Sequence, residues 1–230
     1  MTPSAPSRRD SGYAVGDLYG IVVDGQTYKN LLYLLLAFPL GFAYAMMLGF
    51  GLAFGAILSL VVIGFAILIG TVVGSRLLAR FERWLANALL GLELRAADDV
   101  RSSAASSPWA TIARYLEAPS TWQGLGFLML KFWVGFVALV VLVLLGTSLS
   151  LLTAPFRYPY EVEFVTVNDE PIAWTIETLP EALLAVPVGA LLGLAFLHVS
   201  NAFASVCGRM AIALLGEPEA LEDAPADASE

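Results

Sequence analysis

Charged side chains are scarce in this chain, and a long uncharged run near its N-terminus indicates the class of protein. None of the 46 residues from 30 to 75 is charged, and the whole chain is 14% charged and 58% hydrophobic. About 20 apolar residues form one helix across a hydrocarbon core about 30 Å thick. The run therefore predicts two membrane-spanning helices and excludes an ordinary soluble domain.

Cysteine, histidine and lysine are also nearly absent. The single cysteine, Cys207, excludes a disulfide within the chain, and His198 has no second histidine with which to bind a metal. With only two lysines against 20 acidic residues, the balance favours a halophilic, archaeal source, although the acidic C-terminal tail could account for much of it. Phosphate-binding glycine loops and basic aromatic faces are missing as well. We expect no cofactor, no enzymatic activity and no nucleic-acid partner.

Two further apolar runs bring the expected number of membrane helices to four. The predicted helices cover residues 31–50, 52–74, 125–149 and 183–205, with the first reversal at the glycines of residues 48–51. The first run is too long for the core of a signal peptide, so no signal peptide is expected. The predicted fold class is an all-α membrane protein.

Basic residues set the expected orientation in the membrane. Six arginines lie in segment 75–121, whereas segment 156–180 has one arginine and five acidic residues. The positive-inside rule then places tail 1–26 and loop 75–121 in the cytoplasm and segment 156–180 outside. Four crossings return the acidic tail 217–230, which we expect to be disordered, to the cytoplasm. The prediction is a multi-pass protein of the cell membrane with both termini cytoplasmic.

A repeat relates the two halves of the chain. Residues 27–42 match residues 121–136 at a constant offset of 94, with seven identical positions out of 16. After the second and fourth predicted helices, residues 86–91 are echoed by residues 211–216. The repeat predicts two tandem helix hairpins of the same orientation, related by a pseudo-twofold axis along the membrane normal.

These repeated phrases carry a family resemblance. Together with residues 118–122 and 151–156, they resemble the sensor domain that forms the four-helix membrane input module of many bacterial and archaeal histidine kinases. The resemblance implies a sensor-like domain over residues 27–216, with an external segment before the last helix, and it transfers no ligand residues. The chain differs from the kinases because only the acidic tail follows Gly216. We therefore expect it to lack a kinase module.

The predicted loops have their own structure. Segments 75–91 and 109–116 have helical apolar periodicity, which predicts cytoplasmic amphipathic helices on the membrane surface or against a partner. Alternating apolar residues on both sides of Asn168-Asp169 predict an external β-hairpin. This hairpin is interpreted either as a packing lid or as a sensory surface, for which Trp174, Glu161 and Glu163 are the candidates.

Within the predicted helices, Lys131 and His198 are the candidate polar residues. Lys131 should extend its ammonium to the interface or pair with another group. His198 is either hydrogen-bonded to a neighbouring helix or a proton-sensitive switch. Small residues four apart predict close helix packing; these pairs are Gly51/Gly55, Gly70/Gly74 and Gly189/Gly193.

These features favour a non-enzymatic membrane sensor or signalling accessory. Its expected partners are membrane lipids and either a signalling protein in trans or further copies of the chain. The alternative is a small transporter or permease component, which would need a polar path through the helices. A purely structural membrane protein is a third interpretation.

Overall fold

The fold is known from a computed structural model that describes residues 20–95, 108–167 and 170–216. The helices are α1 Gly25–Leu58, α2 Ile63–Leu90, α3 Pro108–Glu117, α4 Pro119–Leu152 and α5 Leu179–Leu215. A 3₁₀ turn and the strands β1 and β2 connect α4 to α5; they are Ala154–Phe156, Tyr160–Val167 and Glu170–Ile176. The predicted tail 217–230, most of tail 1–26 and the turn at Asn168-Asp169 lie outside the described residues.

Membrane-spanning helices are the main elements. In the described part of the chain, α1, α2, α4 and α5 are each long and apolar enough to cross a membrane. The predicted number of four is therefore confirmed, as are the short helix α3 and the β-hairpin. The strands pair antiparallel, with Val162 opposite Trp174 and an irregularity between Glu163 and Val165.

The first reversal of the chain does not occur at the predicted glycines. Helix α1 continues through Gly51 and Gly55 and ends at Leu58. A Cβ added at Gly55 would lie 2.7 Å from the Leu68 side chain, and one at Gly51 would overlap Thr71. The predicted reversal at Gly49 and Gly51 was wrong. Both residues lie within α1, and Gly51 together with Gly55 allows α1 and α2 to approach closely.

Helix α2 packs against the protein through a face of small and polar residues, while the apolar face predicted for segment 75–91 stays outside that packing. Its apolar side chains Leu77, Phe81 and Trp84 are exposed. The buried face consists of small or polar residues one turn apart, with Leu85 as its one large apolar member; it comprises Ser75, Ala79, Glu82, Leu85 and Ala86. In a membrane protein, apolar side chains can face lipid, so the face with small residues packs against protein.

Local capping explains where several helices begin and end. Gly91, in the left-handed conformation with φ 66°, ends α2. At the start of α5, a Glu181 carboxylate oxygen accepts hydrogen bonds from the backbone N–H groups of Glu177 and Thr178. Glu181 therefore caps the start of α5 with its side chain, as the acidic residue of a capping box does.

The chain forms two compact units. The first contains Met1–Pro39 and Val134–Ser205, and the second contains Leu40–Trp133 and Val206–Glu230. In the first unit, the hairpin packs against the adjoining helix ends through a cluster of buried apolar residues, namely Leu151, Ala154, Val162, Ile176, Ala182 and Ala185. This packing gives the two-stranded sheet the support that an isolated hairpin lacks in water.

In the first unit, the packed parts of α1 and α4 run antiparallel. A Cβ added at Gly135 would meet the Ala37 carbonyl oxygen at 2.5 Å. Earlier on α1, Tyr28 lines a cavity together with Leu149, which is later on α4. Two hairpins of the same orientation would make these segments parallel. The predicted orientation of the repeat therefore does not hold here.

In the second unit, α2 and the first part of α4 run in the same direction. Arg76 of α2 donates a hydrogen bond to Ser120 of α4. Six residues further along α2, Glu82 contacts Lys131, which lies eleven residues further along α4. Helices that cross the membrane alternately would be antiparallel at these positions. In each unit, the relative direction of the packed helices is thus the opposite of the one that a pseudo-twofold axis along the membrane normal would give.

Candidate functional site

A fully buried ion pair lies in the second unit. The Lys131 ammonium of α4 lies 2.8 Å from Oε2 of Glu82 on α2, and neither side chain has any exposed surface. Tyr44 of α1 donates its hydroxyl proton to the other carboxylate oxygen, Oε1, at 3.0 Å. Three helices therefore meet at one carboxylate. We call Tyr44, Glu82 and Lys131 the charge cluster.

The environment of the charge cluster is apolar. The Lys131 nitrogen lies 5.7 Å from the centre of the Phe127 ring, close enough for a cation–π contact. Phe127 itself has no exposed surface. A low-dielectric surrounding strengthens the attraction between the two charges but also raises the cost of removing them from water. The pair is therefore stable only while both partners are present at hydrogen-bond distance.

Gly41 lets α4 approach close enough for this geometry. A Cβ added at Gly41 would lie 2.6 Å from the Lys131 carbonyl oxygen and 2.9 Å from Cα of Phe132. Real Cβ atoms do not occur at such distances from a backbone atom, so a side chain here would push the helices apart. Gly41 and Tyr44 are one turn apart on α1, and together they bring Lys131 and Glu82 into contact.

Only Lys131, one of the three members of the charge cluster, was anticipated from the sequence. Lys131 was expected to extend to the interface or to pair, and it pairs. Glu82 was missed because Arg80, Arg83 and Trp84 surround it in the sequence and suggested a surface helix. Glu82 could have been recognised from its spacing, because Ser75, Ala79, Glu82 and Ala86 lie on one helical face and place one acidic residue in a stripe of small residues.

The other candidates occupy different environments. His198 is exposed on α5 and belongs to the first unit, whereas Lys131 belongs to the second. Trp174 is partly buried against the cluster that supports the hairpin. Glu161 is exposed, and the side chain of Glu163 lies outside the described residues. The charge cluster therefore does not include the candidates proposed for the hairpin.

The predicted glycine pairs differ in their packing. Gly51, Gly55 and Gly189 lie against neighbouring helices at distances that a Cβ would not fit. Gly193 lies at ordinary contact distance from Ser148. Gly70 has nothing within 4 Å of an added Cβ, and Gly74 has only a Met47 methyl at 3.8 Å, so that pair does not provide a close helix contact.

A second polar contact fixes the start of α4 in the same unit. The Arg76 guanidinium donates to the hydroxyls of Ser120 and Thr121 and lies 5.1 Å from the centre of the Tyr115 ring. The Thr121 hydroxyl in turn donates to the Tyr115 carbonyl at 2.6 Å. Arg76 thus joins α2 to the junction of α3 and α4.

Replacing Arg76 by lysine is expected to lower the midpoint of thermal unfolding in detergent, because an ammonium cannot make the forked and stacked contacts of a guanidinium. We expect a loss of about 1.5–3 kcal/mol, typical of a hydrogen bond that involves a charged group. Arg80→Lys, one turn later on the exposed side of α2, is the matched control. Equal stabilities of the two variants would show that the Arg76 contacts contribute nothing.

The first unit has an uncharged polar counterpart. Asn201 of α5 donates to the Thr27 hydroxyl at 2.9 Å, and Asn30 donates to the Asn201 side-chain oxygen at 3.0 Å. Gln26 completes the chain by donating to Asn30 at 2.9 Å. This network joins α1 to α5 with neutral groups. Across the described residues, no three His, Cys, Asp or Glu side chains are placed to hold a metal ion.

Comparison with known proteins identifies the family. A family model described as "Sensor: Putative sensor" matches residues 33–215, and the chain belongs to this family. The matched range contains the whole charge cluster. The resemblance inferred from the sequence is thereby confirmed. No curated protein and no solved structure matches the chain.

Proposed function

We propose that this chain is a non-enzymatic membrane sensor or signalling accessory, and that the charge cluster is its two-state element. The observation that carries the proposal is the fully buried pair of Glu82 and Lys131 in a membrane protein of a sensor family. A buried ion pair contributes little net stability but penalises arrangements that separate its partners. It therefore suits a helix bundle that changes between discrete packings.

The repeat supports a special role for the cluster. The first sequence echo has an offset of 94 residues and the second an offset of 125. Thr27 then corresponds to Thr121, and Asn201 corresponds to Arg76. Each threonine accepts a hydrogen bond from its partner, Thr27 from Asn201 and Thr121 from Arg76. Under the same offsets, Tyr44, Glu82 and Lys131 correspond in order to Ala138, Cys207 and Ala37. We therefore propose a duplicated framework in which only one half has acquired charge.

Helix α2 offers a route for the signal. From Glu82 it continues without interruption to Leu90, and Asn87 then makes two hydrogen bonds with the backbone of Leu94. A displacement of Glu82 would therefore move the segment that follows α2. We propose that this segment is cytoplasmic and reports to a signalling protein in trans.

The transporter alternative has less support. It would need Lys131 and His198 to line a polar path. Lys131 has no exposed surface and is paired, and His198 belongs to the other unit. The buried and paired state of the cluster favours a switch over a conduit.

A genetic experiment in the organism that encodes the chain tests the proposal. Deletion is expected to change the transcript levels of a defined gene set. An allele with Glu82→Gln and Lys131→Met, in which both charges of the pair are removed together, should change the same set at unchanged protein abundance in the membrane. Ser75→Ala is the control, since Ser75 lies on the same buried face and donates only to the backbone carbonyl of Val72. Loss of uptake of a solute, with unchanged transcripts, would overturn the sensor proposal.

Membrane topology is tested separately with introduced cysteines. By the positive-inside rule, a cysteine at Ser103 should react with an impermeant reagent only from the cytoplasmic side, and one at Asn168 only from outside. Both measurements use a Cys207→Ala background. Labelling of Asn168 from the cytoplasm would contradict the proposed sidedness and would agree with the helix directions found within the two units.

A further inference from the structure

The first unit contains an apolar cavity that the charge cluster does not involve. Its volume is about 440 Å³, and its walls come from the start of α1, the end of α4 and the middle of α5. Ala190 and Gly193 form part of the α5 wall, and their small size creates the space. Cavities of this volume, with apolar walls, are typical of sites for small apolar ligands.

The polar groups of the wall are already satisfied by the protein. The Ser148 hydroxyl donates to the Leu145 carbonyl at 2.6 Å, and the Tyr28 hydroxyl donates to the Val22 carbonyl at 2.7 Å. A water molecule in the cavity would therefore find few partners, and apolar cavities do not retain water without them. The walls favour an occupant made of hydrocarbon.

The position of the cavity indicates where such an occupant would come from. Helices α4 and α5 have the highest mean hydropathies among the membrane helices, 2.7 and 2.2. In a bilayer, helices of this hydropathy are surrounded by acyl or isoprenoid chains, which are the abundant apolar solutes there. Tyr28, which is exposed and precedes Lys29, marks a polar end, as aromatic residues do at membrane interfaces.

We propose that this cavity binds one hydrocarbon chain of a membrane lipid, with the lipid headgroup at the Tyr28 end. The volume would hold on the order of 15 water-sized groups, and a methylene group is of similar size. The cavity therefore accommodates most of one lipid chain but not two. The inference is independent of the proposed sensor function, because it depends only on the first unit.

Photo-crosslinking in nanodiscs tests the site. The full chain is reconstituted with a phospholipid that carries a diazirine in the middle of one acyl chain, and the labelled peptides are identified by mass spectrometry. Crosslinks are expected to concentrate on residues 145–152 and 190–197. Ala190→Phe, which fills the cavity, should reduce this labelling about tenfold, equivalent to about 1.4 kcal/mol of binding.

The matched control is Leu191→Phe. Leu191 is the next residue on α5, is 70% exposed and does not line the cavity, so labelling should stay at the wild-type level. If Ala190→Phe does not fold, Gly193→Leu fills the same space from the next turn. Even labelling of all lipid-facing helix surfaces, or unchanged labelling in a folded cavity-filling variant, would overturn the proposal. Displacement of the lipid by a free fatty acid at low concentration would also do so, because the occupant would then come from solution.

Discussion

Replacing Lys131 by methionine is expected to destabilise the protein by about 3–5 kcal/mol, the usual penalty for leaving one charge of a buried pair without its partner. Glu82 would then keep only the Tyr44 hydroxyl as a hydrogen-bond donor among the contacts of the charge cluster. Glu82→Gln should have a similar effect, because it removes the carboxylate charge that lies 2.8 Å from the Lys131 ammonium. Equilibrium unfolding in mixed micelles measures both values.

The double variant Glu82→Gln/Lys131→Met distinguishes the cost of an unpaired buried charge from the cost of altered side-chain packing. Both charges are absent, and the glutamine oxygen can still accept the Tyr44 hydrogen bond. Most of the stability should return, since neutral replacements of buried ion pairs are often tolerated. If the double variant is as unstable as the sum of the single variants, the two residues are not coupled, and the charge cluster is not a unit.

The second large effect is expected at Gly41. Gly41→Leu should destabilise the protein by about 3 kcal/mol or more, because its Cβ and the atoms beyond would overlap the α4 backbone at Lys131. Gly41→Ala should cost about 1–3 kcal/mol for the same reason. Thermal unfolding and crosslinking between α1 and α4 would detect the separation of the helices.

Gly126 and Gly70 provide controls for Gly41. Each lies inside a membrane helix, and a Cβ added at either meets no atom within 4 Å. Since glycine lowers helix propensity by about 1 kcal/mol relative to alanine, Gly126→Ala and Gly70→Ala should leave stability unchanged or raise it. A loss at Gly126 equal to that at Gly41 would show that close packing is not the cause.

Element types could be predicted from this sequence because the apolar runs are long. The uncharged residues 30–75 required two helices, and alternation around Asn168 required a hairpin. Helix ends were less well predicted. Paired glycines have the same sequence signature whether they reverse the chain or allow close packing, and only the contacts of Gly51 and Gly55 with α2 distinguish the two.

The charge cluster could not be derived from local patterns. Its members lie 38 and 49 residues apart in the chain, and which helices pack together is not encoded in the periodicity of any one of them. Leu77, Phe81 and Trp84 are exposed, so the apolar face of α2 does not show which side of the helix packs against the protein. In lipid, burial follows small residues and polar partners, so a hydrophobic stripe does not identify the packed face.

The lengths of the helices have a consequence for the surrounding bilayer. At 34 residues, α1 and α4 are each about 51 Å long, and α5 with 37 residues is about 56 Å long. Tilting alone would need an angle above the roughly 40° seen in membrane proteins to fit such lengths into about 30 Å of hydrocarbon. The helix ends must therefore extend into the headgroup layers. In a thicker membrane, these helices can tilt less and place more of their length in the hydrocarbon core. Their helical structure does not have to change.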